Sequence, residues 1–202
     1  MEPIILSGTA ALPDFRRIAL EQQAAAILPA AVGGGIDARF VYFIEVRESF
    51  DDNVYQKSLV LLGATGVHRA TGGFYVTPRK GTISPWSSKA TDIFHNCGLT
   101  AIARVERGID VCITDAEGTV LSLEAVQPLL PSLHDRMTEG VYSDVSDMFV
   151  HRQPAPLREV DLLGGGQAAL ERANIDMGLA LSPDEISYLA THYLKVKRNP
   201  TD

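Results

Sequence analysis

Cysteine is scarce in this sequence. Cys97 and Cys112 are its two cysteines, and they form no CxxC pair and no Cys/His ligand spacing, which excludes a disulfide framework and argues against a structural zinc site. Long apolar runs are missing too: no stretch approaches the ~18 residues of a bilayer span, so no membrane association is expected. Basic residues gather no further than the short Lys195, Lys197, Arg198 cluster, and the formal net charge is −7. That balance repels phosphate backbones, so nucleic acid is not an expected partner. The N-terminus, MEPIILSG, has no basic segment ahead of its apolar run, so it reads as a first strand rather than a signal peptide, and a cytoplasmic protein is the expectation. GxSxG, HExxH and P-loop spacings are absent as well.

What is present reads as a globular chain. Its 202 residues, 46% apolar and 21% charged, suffice for one generous domain or a domain with an appendage. PIILSG is strand-like, and Leu12 to Leu28 carries helical periodicity closed by Pro29. After the Gly33-Gly34-Gly35 turn, Arg39 to Arg47 reads as a strand, and Ser49 is placed to cap a helix over Asp52 to Leu62. A glycine-rich passage with one strand candidate, Phe74 to Thr77, reads as a ligand-facing or mobile loop. Further on, Thr100 to Val105 and Ile109 to Thr114 flank Glu106, Arg107 and Gly108 like the arms of a hairpin, and Leu123 to Leu130 suits a short helix. The expected fold class is α+β: helices packed on antiparallel sheet, in two similar halves.

From about Arg152 the composition changes. QPAPLREVDLLGGGQ marks a linker, giving an N-terminal α+β domain over residues 1–150 and a partly helical linker region over 151–202. Within the latter, Ser182-Pro183-Asp184-Glu185 is a strong helix start, and the helix it opens shows an apolar face of Ile186, Leu189 and Tyr193 that needs a partner. An ending at RNPTD, soon after this amphipathic helix, is read as that of a fragment.

The segment GTISPWSSKATDIFHNCG, residues 81–98, concentrates chemistry-bearing side chains. Ser84 followed by Pro85 opens a helix that Gly98 ends. Its positive end, the hydroxyls of Thr82, Ser84, Ser87 and Ser88, and the ammonium of Lys89 suit a phosphate or carboxylate. Trp86 suits a flat lid over a ring or sugar, and Asp92 shares a face with Lys89. The same residues also fit a plain capped helix in which Trp86 is half-buried packing and Lys89–Asp92 a surface ion pair. His95 and Cys97 are too close along a helix to face each other as a catalytic pair, and His134-Asp135-Arg136 lacks the companions of a kinase triplet.

PRKGTISPWSSKATDIFHNCGL followed by IARVERG resembles the N-terminal region of large single-chain phosphoribosylformylglycinamidine synthases, and HDRMTEGVY and LALSPDEISYLATHYLKVKRNPTD look like later landmarks of the same family. The resemblance implies an N-terminal domain similar to a dimer of the small accessory subunit of multi-chain versions, followed by the start of a linker. It also implies participation in converting formylglycinamide ribonucleotide, ATP and glutamine to the amidine in purine biosynthesis, a ligase reaction with glutamine amidotransferase activity. The synthetase and glutaminase domains, expected beyond Asp202, would carry the catalytic residues, the ATP and the magnesium, and would be the partners of this chain. No catalytic residue, metal ligand or cofactor is then expected here. Thr82, Ser84, Trp86, Ser87, Ser88, Lys89 and Asp92 become candidates for facing the ribonucleotide or gating the ammonia route. Two other readings stay open: a stand-alone module binding an anionic metabolite, and a structural docking domain.

Overall fold

The Val-, Ile- and aromatic-rich stretches of the first 150 residues become strands of one antiparallel sheet in the computed structural model, which describes residues 3–47, 49–150 and 156–201. The chain divides into two units, residues 1–152 and 153–202. In the first, β1 (Ile4–Ala10), α1 (Asp14–Ile27), β2 (Ile36–Val46), α2 (Asp52–Leu62) and β3 (Gly66–Val67) are followed by β4 (Phe74–Pro78), α3 (Pro85–Asn96), β5 (Ile102–Ile113) and β6 (Glu139–Tyr142). The strands lie in the order β3-β1-β2-β5-β4-β6, every neighbouring pair antiparallel. This order is symmetric about the β2–β5 pair: β1-α1-β2-α2-β3 builds one side, and β4-α3-β5 with a 3-10 turn at Gln127–Ser132 and β6 builds the other. The fold is therefore two similar halves sharing one sheet.

Alternation decides which face each side chain joins. Ile36, Ala38, Tyr42 and Ile44 of β2 point to the helical face, where Leu20 and Ala24 of α1 and Phe94 of α3 close over them. Val41 and Phe43 point the other way and are covered by Val145, Met148 and Phe149. Each buried Val, Leu, Ile, Phe or Met among them contributes about 1.5–3 kcal/mol from removal of apolar surface from water.

Several local expectations change. The hairpin expected around Glu106-Arg107-Gly108 is instead one continuous strand: Glu106, Arg107 and Gly108 pair with Phe43, Tyr42 and Val41. Gly108 serves a close approach, since a Cβ there would stand 2.8 Å from Thr77 Cγ2 and 2.9 Å from the Val76 carbonyl oxygen. The cap of α2 is Asp51, whose carboxylate accepts the Val54 amide at 2.8 Å, and not Ser49. A helix over Leu123 to Leu130 does not form, because Pro128 and Pro131 withhold donors and the chain takes the 3-10 turn. β3 was not anticipated at all; it spans two residues.

The second unit contains α4 (Leu162–Gly165), α5 (Gln167–Asp176) and α6 (Pro183–Val196). Residues 151–155, which include the first proline of the expected linker, lie outside the described residues, and the glycine run belongs to the α4–α5 junction, where Gly166 takes a positive φ of 60°. The capping box of α6 forms: Ser182 Oγ accepts the Glu185 amide and Glu185 accepts the Ser182 amide at 2.8 Å. The apolar face of α6 finds its partner within this unit, as Ile186 and Ala190 pack with Leu162 and Leu170. No helix of the described residues is long and apolar enough to cross a membrane.

Candidate functional site

The site grows from a place where β5 runs out of strand. β4 pairs with β5 only from Phe74↔Val111 to Val76↔Ile109, so the first half of β5 has lost a neighbour on that edge, and its exposed backbone groups need partners. Helix α3 supplies them with side chains one turn apart. Ser87 Oγ donates to the Val105 carbonyl at 2.6 Å, and Thr91 Oγ1 accepts the Val105 amide at 3.1 Å.

Two charges are buried beneath this seam. Glu106 is fully buried and Arg104 6% exposed, and Arg104 Nη2 donates to Glu106 Oε2 at 2.9 Å. Ser84 donates to the same carboxylate twice, through Oγ to Oε1 at 2.6 Å and through its amide to Oε2 at 3.3 Å, while the Arg107 amide reaches Oε1 at 3.0 Å. Arg104 also donates to Ser87 Oγ and to the Thr82 carbonyl, at 3.2 and 2.6 Å. Ser84 Oγ meanwhile accepts the Ser87 amide at 3.0 Å as cap of α3. The positive end of α3 is thus answered by a carboxylate of this chain, Glu106.

Beside it opens a cleft of about 570 Å³, bounded by the α3 start, by Phe40 and Arg107 on the sheet, and by Pro78, Arg79 and Met137. Trp86 is half-buried on its wall, stacked on Tyr42 with ring centroids 6.0 Å apart and 23° between planes. The Arg107 guanidinium lies over two rings, 4.8 Å from the Phe40 centroid and 5.1 Å from that of Trp86. The cleft's carboxylates do not suit a divalent cation: both oxygens of Glu106 are taken, and Glu139 accepts the Asp135 amide at 2.8 Å.

The structure thus gathers Thr82, Ser84 and Trp86 on one cleft. Ser87 lies behind its wall, fully buried. Ser88, Lys89 and Asp92 are exposed along α3, Ser88 Oγ turning back to the Ser84 carbonyl at 3.4 Å and Thr82 Oγ1 to that of Arg79 at 2.7 Å. Arg104, Glu106 and Arg107 were missed from sequence. The available signal was two opposite charges two residues apart in a Val/Ile strand, which places both on one face. His95 is occupied with the Ile102 carbonyl, 2.8 Å from its Nε2, while Cys97 is exposed. Asp135 of the HDR triplet only closes a turn, accepting the Met137 amide and the Thr138 hydroxyl.

A second polar cluster lies in the glycine-rich passage. His68 stands between Ser7 Oγ, 3.0 Å from Nδ1, and both Tyr75 OH and Asp110 Oδ2, 3.1 and 3.3 Å from Nε2. Thr71 donates to the other Asp110 oxygen at 2.8 Å. Burial pushes the Asp110 carboxyl up despite the Thr71 hydrogen bond, and burial holds the His68 imidazole below its ordinary value despite the pull of Asp110.

Residues 39–149 match the family described as formylglycinamide ribonucleotide amidotransferase N-terminal, and residues 170–202 match the linker domain of the same amidotransferase. The first match runs from within β2 past β6. It contains α3, the buried Arg104–Glu106 pair and every wall of the cleft.

Proposed function

Since this chain belongs to the formylglycinamide ribonucleotide amidotransferase family and carries its N-terminal and linker parts, we propose that it is the supporting portion of the purine-biosynthesis enzyme that turns formylglycinamide ribonucleotide, ATP and glutamine into the amidine. Its cleft at the α3 start forms a wall beside the synthetase chemistry, facing the ribonucleotide or the path of ammonia. ATP, magnesium and the glutaminase nucleophile belong to the other domains of the enzyme, which are the partners of this chain in a cytoplasmic assembly.

The observation that carries this reading is the state of the polar groups around the cleft. Glu106, the one fully buried carboxylate there, is held by a cation, a hydroxyl and two amides. A group so held is a scaffold for the helix start and poorly placed to accept a substrate proton. What remains open to a ligand is an aromatic wall and a stacked guanidinium, the equipment of positioning and closure.

The test is turnover. Residues 1–202 are incubated with formylglycinamide ribonucleotide, ATP, magnesium and ammonia, which bypasses glutamine hydrolysis, and ADP release is followed with and without a separately expressed remainder of the enzyme. Background release from the chain alone and turnover on mixing support the reading. Turnover by the chain alone overturns it, and so does equal turnover by the remainder without this chain.

A further inference from the structure

We propose that Ser7 is a nucleophile served by His68 and Asp110, and that the pocket around these three side chains hydrolyses esters of short carboxylic acids. None of the three lines the cleft at the α3 start, so this activity is separate from the supporting role proposed above.

Three observations carry it. First, the fold brings nucleophile, base and carboxylate together in that order from Ser7 on β1, His68 directly after β3 and Asp110 on β5. Ser7 Oγ lies 3.0 Å from His68 Nδ1, and Asp110 Oδ2 lies 3.3 Å from Nε2 on the other side of the ring. Thr71 steadies the carboxylate by donating to its second oxygen at 2.8 Å. The His68 amide donates to the Ile5 carbonyl at 2.9 Å, which fastens the base to the strand that bears the nucleophile.

Second, Asp110 is 3% exposed and its Oδ2 makes no hydrogen bond in the resting chain. An ionised oxygen so close to Nε2 favours the tautomer that carries its proton on Nε2, and this leaves the Nδ1 lone pair facing the Ser7 hydroxyl. That is the form a general base needs. Tyr75 OH, 3.1 Å from Nε2, competes for the same proton at rest. Once Nδ1 takes the Ser7 proton the ring is positive, and the unused carboxylate oxygen already stands where that charge develops. A buried acceptor left unpaired at rest is costly, and the charged form of His68 supplies its partner.

Third, Ser7, His68 and Asp110 line one pocket of about 290 Å³, together with Thr65, Arg39 and Arg69. The volume restricts the acyl part to a short chain. Arg39 is bridged to Asp37, whereas Arg69 forms no salt bridge among the described residues and is the cation available to the carbonyl oxygen as it becomes an oxyanion.

The chemistry balances without a cofactor. Ser7 Oγ bonds to the acyl carbon while Nδ1 takes its proton, and the alcohol oxygen leaves with the electron pair of the broken C–O bond and receives that proton. Water then attacks the acyl-serine, giving a proton to Nδ1, and the acid departs as Ser7 regains its hydroxyl.

The test uses p-nitrophenyl acetate, with nitrophenolate release followed for residues 1–202, and a fluorophosphonate probe whose attachment is mapped by peptide mass spectrometry. The expected results are hydrolysis above buffer and probe on Ser7 of the folded chain, with no labelling after heat denaturation. Ser7→Ala should reduce release to background, and His68→Gln should lower it by about a hundredfold or more, the scale of a general base. Asp110→Asn tests positioning: kcat falls with KM kept, and the acid limb of the pH profile moves to lower pH, because the Asp110 charge pulls the imidazole up. Circular dichroism melting establishes that each variant is folded. Should any of them not fold, the labelling site in the parent chain decides. Probe on another residue or on none overturns the proposal, as does release unchanged in folded Ser7→Ala or His68→Gln. An acid limb that stays in place in folded Asp110→Asn removes Asp110 from the relay and overturns it as stated.

Discussion

Ser84 and Glu106 meet across 2.6 Å, hydroxyl to carboxylate, at the point where α3 docks on the unpaired edge of β5. The contact makes one side chain do two things: Ser84 caps the helix through the Ser87 amide and at the same time compensates a buried charge. Chain segments some twenty residues apart are fastened together by it, and the cleft inherits its shape from that joint.

The first prediction follows from how Glu106 is compensated. Arg104→Ala leaves a fully buried carboxylate without its cation, and removal of one partner of a buried pair costs about 3–5 kcal/mol. Urea unfolding of residues 1–202 should show that loss. The double variant Arg104→Met/Glu106→Leu should lose clearly less than the sum of the single changes, because no orphan charge remains. Additive losses would show that the two charges act independently.

Gly108 provides the second. Alanine there drives a methyl into Thr77, the Val76 carbonyl oxygen and Phe43, at 2.8, 2.9 and 3.0 Å, and two of these neighbours belong to packed side chains of the sheet centre. Gly108→Ala should destabilise by about 1–3 kcal/mol, the range of overpacking in a well-filled core, as a lower midpoint in the same urea experiment.

That glycine also shows why parts of the fold were legible and others were not. The periodic segments are readable: β1, α1, β2, α2, α3 and α6 stand where apolar spacing places them, and Ser84 and Ser182 cap α3 and α6, because these signals act within a few residues. Gly108 looked like a turn because the reason for it, a second strand passing close by, lies in β4, far along the chain. Pro128 and Pro131 are visible in the sequence, yet the apolar periodicity around them reads as a helix until their missing donors are counted. At the site, the Ser84-Pro85 start was local and legible. Arg107 was not, since its meaning depends on Phe40 and Trp86, which reach it from other elements.

The third prediction concerns pH. His68 has its folded value depressed by burial, so below its ordinary value the folded chain binds fewer protons than the unfolded one, and stability is lost as pH falls. Asp110, raised by burial, has the opposite sign: its contribution is present at low pH and lost as pH rises through its raised value. As pH falls from about 7.5 to 5.5, the parent chain should therefore lose more melting temperature, or gain less, than His68→Gln, which keeps only the Asp110 leg. Parallel melting curves for the two proteins across that range would remove His68 from the acid sensitivity of the fold.

The last prediction returns to Trp86. In the reconstituted enzyme Trp86→Ala removes the ring from both Tyr42 and Arg107, so the guanidinium gains freedom that the bound state must take away again. Loss of a positioning contact of this kind costs about 1–3 kcal/mol of transition-state stabilisation, roughly five- to 150-fold in turnover. Trp86→Phe keeps a ring over Arg107 and should lose much less. Glutamine hydrolysis, measured as glutamate release, should continue in both variants, because the glutaminase nucleophile proposed for the other domains does not depend on this wall. If Trp86→Ala turns over formylglycinamide ribonucleotide at the parent rate while its melting temperature falls, the ring is packing for Tyr42 and has no part in holding the ligand. If turnover falls while the melting temperature stays close to that of the parent, the contact of Trp86 with Arg107 is the feature that couples this domain to the chemistry beside it.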